Sequence, residues 1–267
     1  MQVTRRTVIG GAFAAAAATF VPGFIVRAQE ATPGTDGLAT PGFAIARVRK
    51  HQTAELTQAV YPDVMSRFLP ATAAISGFRG YLFAFDDADP TITINVTLLA
   101  DANAADEANA VAQDYVRGMD PRLTPETPLA EQGSVRIYQL TDKPRLDLPP
   151  LLHGCHITMR HRVTPLDADM DAVVSSAAEG LVPILRGMDG FVLDCWILSD
   201  GGVVIINIWE TAEQMRAGNE AEAAWLAESN LSSTVGEPLV HHGVIGYSGI
   251  LKRDCQRSHL TSGSPWR

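Results

Sequence analysis

Residues 191–214 read FVLDCWILSDGGVVIINIWETAEQ, and this stretch decides the fold. Phe191–Leu198 is rich in strand-forming residues, Asp200-Gly201-Gly202 is a hairpin turn, and Val203–Trp209 is a second strand. Thr211 with Gln214 fits a capping box that opens a helix running to Glu228, with a break expected near Gly218. Upstream, Cys155–Val163 reads as a strand, and Met170, Val173, Val174, Ala177, Leu181 and Val182 recur at helical spacing. Val244–Ile250 supplies the last strand.

The same order of elements occurs earlier in the chain. Pro70 with Gly77-Phe78 matches Pro183 with Gly190-Phe191 at an offset of 113, and Ile94-Asn95-Val96 matches Ile206-Asn207-Ile208 at 112. Asn109 with Tyr115-Val116 matches Asn219 with Trp225-Leu226, and Pro128-Leu129 with Gly133 matches Pro238-Leu239 with Gly243, both at 110. Two copies follow, 43–140 and 153–251, joined by a Pro-containing linker at 141–152. The first copy is expected to hold strand 43–49, helix 54–68 kinked at Pro62, strands 78–85 and 91–98, helix 104–117 and strand 134–140. Strand-helix-strand twice over is the ferredoxin-like unit, which carries both helices on one face of an antiparallel sheet. The two open faces are expected to bury each other. The predicted fold class is therefore α+β: two tandem ferredoxin-like (βαββαβ) repeats packed sheet to sheet, a monomer with an intramolecular pseudo-dimer.

At this point the chain resembles the dimeric α/β-barrel superfamily, which includes the antibiotic-biosynthesis-monooxygenase-like domains. The likeness is clearest at Asn207-Ile208-Trp209-Glu210 and the following 211–226. It implies an apolar or aromatic small-molecule partner held between sheet and helices. It also implies either cofactor-free oxidation of a quinol-like substrate or, in other members, haem binding; no cofactor is the main expectation. Asn207 and Trp209 share one strand face by alternation. The resemblance makes Asn207, with Trp209 beside it, the residue that orients a substrate anion; His161 or Asp194 is then expected to take a proton, and Trp196, Trp209 and Trp225 to line the pocket. Asn95 is taken as the counterpart of Asn207, with Thr97 in place of Trp209, so the working site is expected in the second copy and the first is expected to be a scaffold. The competing readings make the chain a non-catalytic module in which the same pocket merely holds a ligand, or make Asn207 and Asn95 structural and Trp209 core.

The densest run of potential ligands is His153-Gly-Cys155-His156-Ile-Thr-Met159-Arg160-His161. If the first and fourth strands of the copy are neighbours, His161 approaches His241-His242, where three histidines would suit a metal or haem iron. A solvated strand end is the alternative, and the spacing matches no compact metal motif. Asp194 lies in an apolar strand, where a carboxylate either acquires a raised pKa and acts as a base or faces solvent at the strand end. No Gly-rich phosphate loop, G-x-S-x-G elbow or H-E-x-x-H is present, which disfavours dehydrogenases, kinases, ordinary serine hydrolases and zincins.

The 267 residues carry a formal charge of -9, which argues against nucleic acid as a partner. At the front, Thr4-Arg5-Arg6 precedes an uncharged apolar run, and Val26-Arg27-Ala28 offers small residues to a signal peptidase. Residues 1–28 thus resemble a twin-arginine export signal, which places the mature chain in the periplasm or outside the cell with no membrane contact after cleavage. Residues 29–42 read as a Pro/Gly-rich linker and 252–267 as a polar tail. Of the three cysteines, the pair expected to bridge, if any does, is Cys155–Cys255.

Overall fold

The computed structural model describes residues 40–141, 152–165, 168–229 and 231–250. Eight antiparallel strands close into one barrel in the order β1-β3-β2-β8-β5-β7-β6-β4. They are β1 (Phe43–Lys50), β2 (Phe78–Asp86), β3 (Ile92–Leu99), β4 (Glu126–Leu140), β5 (His156–Arg162), β6 (Phe191–Ser199), β7 (Gly202–Trp209) and β8 (Pro238–Ile250). Strand alternation sends one set of side chains inward. Ala44, Ala46, Val48, Leu82, Ala84, Ile94 and Val96 from the first half meet Ile157, Met159, Leu193, Cys195, Ile206 and Ile208 from the second. This interior is a packed core. Among the described residues no helix is long and apolar enough to cross a membrane.

The expected stacking of two separate sheets is replaced by one continuous sheet, and β4 and β8 are the reason. The N-terminal part of β4 pairs with β1, and its C-terminal part, from Ser134, pairs with β6. Likewise β8 pairs with β5 up to Val244 and with β2 from Gly243. A glycine sits at each crossing. A Cβ on Gly133 would lie 1.9 Å from the Leu198 carbonyl oxygen, and one on Gly243 would lie 2.2 Å from that of Phe85. Only glycine lets the strand backbone come this close to its second partner. Each long strand also gives a side chain to the other half's outer layer: Ile137 packs with the second half's helices and Tyr247 with the first's.

The pairing also corrects the alignment of the two halves. β2 and β6 correspond at an offset of 113, but five residues separate β2 from β3 and only two separate β6 from β7. β3 and β7 therefore correspond at 110. Asn95 lies opposite Phe83 and Arg47, as Ile205 lies opposite Trp196 and Arg160. The counterpart of Asn207 is Thr97, and that of Trp209 is Leu99. The Ile-Asn match was two residues out of register.

The outer face carries the helices. α1 (Ala54–Asp63) continues through a π turn at Val64–Phe68 into α2 (Leu69–Ala73), and α3 (Ala102–Arg117) lies beside them. The second half has α4 (Met170–Ser176), a π turn at Ala177–Leu181, α5 (Val182–Gly187), α6 (Ala212–Glu228) and the short α7 (Ser232–Val235). Both π turns run straight into a proline, Pro70 or Pro183, which has no N–H to give the carbonyl four residues back. Pro62, the expected kink, has no counterpart in the second half, where Ser175 stands. The π turn recurs there, so Pro70 and Pro183 account for it. α6 runs unbroken through Gly218, which lies against the Trp209 ring. The expected signal and linker at 1–39, residues 142–151 and the expected tail with Cys255 lie outside the described residues, so the disulfide expectation does too.

Candidate functional site

The second half gathers a buried polar network on the helix-facing side of its sheet. β5 presents Arg160, β6 Asp194 and Trp196, β7 Asn207, and α6 Asn219 and Glu222. Arg160 Nη1 donates to Asn207 Oδ1 at 2.6 Å and lies 2.9 Å from Glu222 Oε2, while Nη2 donates to Asn219 Oδ1 at 2.6 Å. Asn207 Nδ2 and Trp196 Nε1 both donate to Asp194 Oδ1, at 2.9 and 3.0 Å. Thr158 Oγ1 donates to Asn219 Oδ1 and lies 3.0 Å from His242 Nδ1. Asp194 is fully buried and its Oδ2 has no partner. Burial, with the Glu222 carboxylate nearby, pushes its pKa up to about 8, against the pull of the Trp196 N–H, Arg160 and the Asn207 amide.

Of the residues singled out in the sequence, Asn207, Asp194 and Trp196 are thus in direct contact. Trp209 packs at 5.6 Å from Phe191, between sheet and α6, with no partner for its Nε1. Trp225 lines a cavity beside Trp196 and Glu222, but this cavity holds only about 10 Å3. That is at the lower edge of the ~10–15 Å3 a single water requires. His161 does not join the group. It points to the opposite, interior face of the sheet, where its Nε2 lies 3.4 Å from Glu131 Oε1. The three expected histidine ligands also diverge: His161 faces Glu131, His241 pairs with Asp86 at 2.9 Å, and His242 faces Thr158. No group of three or more His, Cys, Asp or Glu suited to a metal exists among the described residues.

The open space is in the first half. A cavity of about 50 Å3 lies between the β1-β3-β2 sheet and the first half's helices. Its apolar walls are Val60, Val64, Phe68, Phe83 and Met119, and its polar groups are Arg47, Arg49, His51, Thr93, Tyr81 and Asn95. Tyr81 Oη donates to Asn95 Oδ1 at 2.8 Å, and Asn95 Nδ2 donates to Thr93 Oγ1 at 3.1 Å. Arg47 Nη2 donates to Asn109 Oδ1 at 2.5 Å, and Arg49 donates to Thr127 Oγ1. Burial, and then repulsion from Arg49, bring the Arg47 pKa down to about 10; burial lowers that of Arg49 as well. His51 is buried and its Nδ1 has no partner. Burial lowers its pKa despite a hydrogen bond to the Leu123 backbone.

The two cavities are the same place in the two halves. All nine residues lining the second have a counterpart lining the first, at the offsets set by strand pairing. Six of the exchanges add bulk in the second half: Ala112 to Glu222, Phe83 to Trp196, Asn95 to Ile205, Tyr115 to Trp225, Val116 to Leu226 and Pro125 to Val235. They close it. The expectation of a pocket in the second copy beside a scaffold in the first is therefore reversed as far as space is concerned. Arg47, Arg49 and His51 were missed, although their alternation on one apolar strand and the pairing of Ala112 with Glu222 at offset 110 were visible in the sequence.

No family model matches the chain, and no curated protein matches it. Solved structures do. A "putative monooxygenase" of Fusobacterium nucleatum superposes with a TM-score of 0.59 at 10% identity, covering 80% of this chain and 98% of that one. An anthrone oxidase-like protein gives 0.55 at 14% identity, covering 79% and 93%. A chlorite dismutase-like protein gives 0.50 at 10% identity, covering 78% and 95%. The chain shares with them the dimeric α/β-barrel fold, and at such identities the likeness is one of fold.

Haem, allowed by the fold resemblance, does not suit either cavity. Iron needs an axial His, Cys, Met or Tyr beside a slot as wide as the macrocycle. The second-half cavity is lined by none of these, and the first-half cavity is far smaller than a tetrapyrrole.

Proposed function

We propose that this chain binds one end of a small, largely apolar or aromatic molecule in the first-half cavity, whose roughly 50 Å3 leave the rest of the molecule in its mouth, and that its halves are fused copies of one ferredoxin-like unit of which only the first kept its site open. The observation that carries the reading is the nine-position correspondence of the two cavities, one open and one filled. Naphthol is a suitable probe. Its fluorescence is expected to change on binding to the native protein and to stay as in water with Val64→Trp, which fills the cavity. Equal binding by both proteins would overturn the assignment.

The enzymatic form of this reading rests on fold analogy with proteins described as monooxygenase and anthrone oxidase-like. A bound phenol loses its O–H and one ring C–H hydrogen and gains an oxygen atom as a quinone carbonyl. The second oxygen atom of O2 leaves with those two hydrogens as water. The substrate supplies the electrons, so no outside reductant is needed. Oxygen uptake matched one to one by quinone in the naphthol experiment supports this form; binding without uptake leaves a binding protein.

The twin arginines and the Val26-Arg27-Ala28 site support export of the mature chain from the cytoplasm. A mature N-terminus near Gln29 is expected on sequencing the exported protein. Normal export of the Arg5→Lys, Arg6→Lys double variant would count against the twin-arginine route.

A further inference from the structure

The two halves differ at one point in a way that names the charge of the ligand. Arg47 and Arg160 correspond, and each holds a corresponding asparagine of the facing helix, Asn109 at 2.5 Å and Asn219 at 2.6 Å. In the second half the guanidinium then meets a carboxylate, Glu222, 2.9 Å away, with both side chains 7% exposed. In the first half the counterpart of Glu222 is Ala112, whose methyl group ends at the cavity wall. Neither Arg47 nor Arg49 has a carboxylate within 4 Å among the described residues. A buried cation without a counter-ion is costly, and a planar carboxylate matches the guanidinium fork. His51 adds an unpartnered Nδ1 at the same cavity, buried to 4% exposure, a ring nitrogen that can accept when the ring is neutral.

We propose that the first-half cavity is a carboxylate site: it takes a small aromatic acid whose carboxylate is held by Arg47 and Arg49, the role that the chain's own Glu222 fills toward Arg160 in the second half. Glu222 is then the built-in counter-ion of the closed second site. The apolar walls formed by Val60, Val64 and Phe68 receive the ring, and a hydroxyl on the acid would donate to His51. The inference rests on the cavity assignment above and adds the charge.

Benzoate and its neutral isostere benzamide test it by calorimetry on the purified protein. Benzoate is expected to bind with a stoichiometry of one, and benzamide roughly tenfold or more weaker. Ala112→Glu, which plants a carboxylate where the ligand's would be, is expected to abolish benzoate binding without lowering the Tm. Equal affinity for benzoate and benzamide, or full benzoate binding by Ala112→Glu, overturns the charge assignment while leaving the cavity assignment standing; no binding of either, with no response to naphthol, overturns both.

Discussion

Arg160→Met is expected to lower the unfolding free energy by about 3–5 kcal/mol, read from urea denaturation. The arginine lies under the second half's helices at 5% exposure and serves three acceptors at once: Asn207, Asn219 and Glu222. Methionine fills similar space but leaves Glu222 as a buried carboxylate without its cation and takes a donor from each asparagine. Arg162 is the other cation acting on Glu222, and its guanidinium is spent on the Gly236 carbonyl at 2.6 Å. Adding Glu222→Met should recover a substantial part of the loss, because removing both charges is far cheaper than removing one. The corresponding change in the first half, Arg47→Met, strands no carboxylate and should cost much less. Equal losses for Arg160→Met and Arg47→Met would mean that the Glu222 pair is not what makes the second half's network costly to break.

Asp194→Asn is expected to change how stability responds to pH. The native carboxyl titrates at about 8, well above the usual carboxylate range, because it is buried and lies near Glu222. Between the unfolded value, roughly 4, and that raised value, the native state holds a proton that the unfolded state has lost. Stability therefore falls as pH rises through this window, by about 1.4 kcal/mol per pH unit at most, and levels off above it. Asparagine mimics the protonated acid and keeps the acceptor used by Trp196 and Asn207. The variant and the native protein should be similar near pH 5, with the variant clearly more stable at pH 8. Parallel stability curves for the two proteins would show that Asp194 is ionised in the folded state. Glu222 is raised by burial as well, so the comparison must keep Glu222 in place.

Strand and helix identities were legible because this chain punctuates clearly. Thr211 does cap α6 through the Gln214 N–H, and the Gly-containing turns sit between runs of β-branched residues. What escaped was longer range. The first halves of β4 and β8 contain Pro128 and Pro238 with polar neighbours, so they read as loop, and with them went the exchange of partners that closes the barrel. Asn95 and Asn207 were equated because Ile-Asn followed by a β-branched residue looks alike in both places. Only cross-strand pairing reveals that the shorter hairpin between β6 and β7 moves the register by three. Asp194 was a fair guess from its apolar strand, yet the same burial that raises its pKa denies it room for a substrate. His161 was placed in the pocket from the chemistry of its side chain, whereas alternation along β5, which sets it opposite Arg160, already sent it to the barrel interior.

The exchange of β4 and β8 also sets a timetable. β2 is among the first of the described strands to leave the ribosome, and its outer edge is completed only by β8, the last of them. Until then a growing chain carries an unpaired strand edge beside the apolar residues that will face inward, such as Leu82 and Ala84. Contacts this distant in sequence form slowly and expose a nascent chain to aggregation. The barrel cannot ripen one half at a time: its final seam is sewn only once β8 has been made, and a chaperone's hold on the waiting edge of β2 would matter most in that interval.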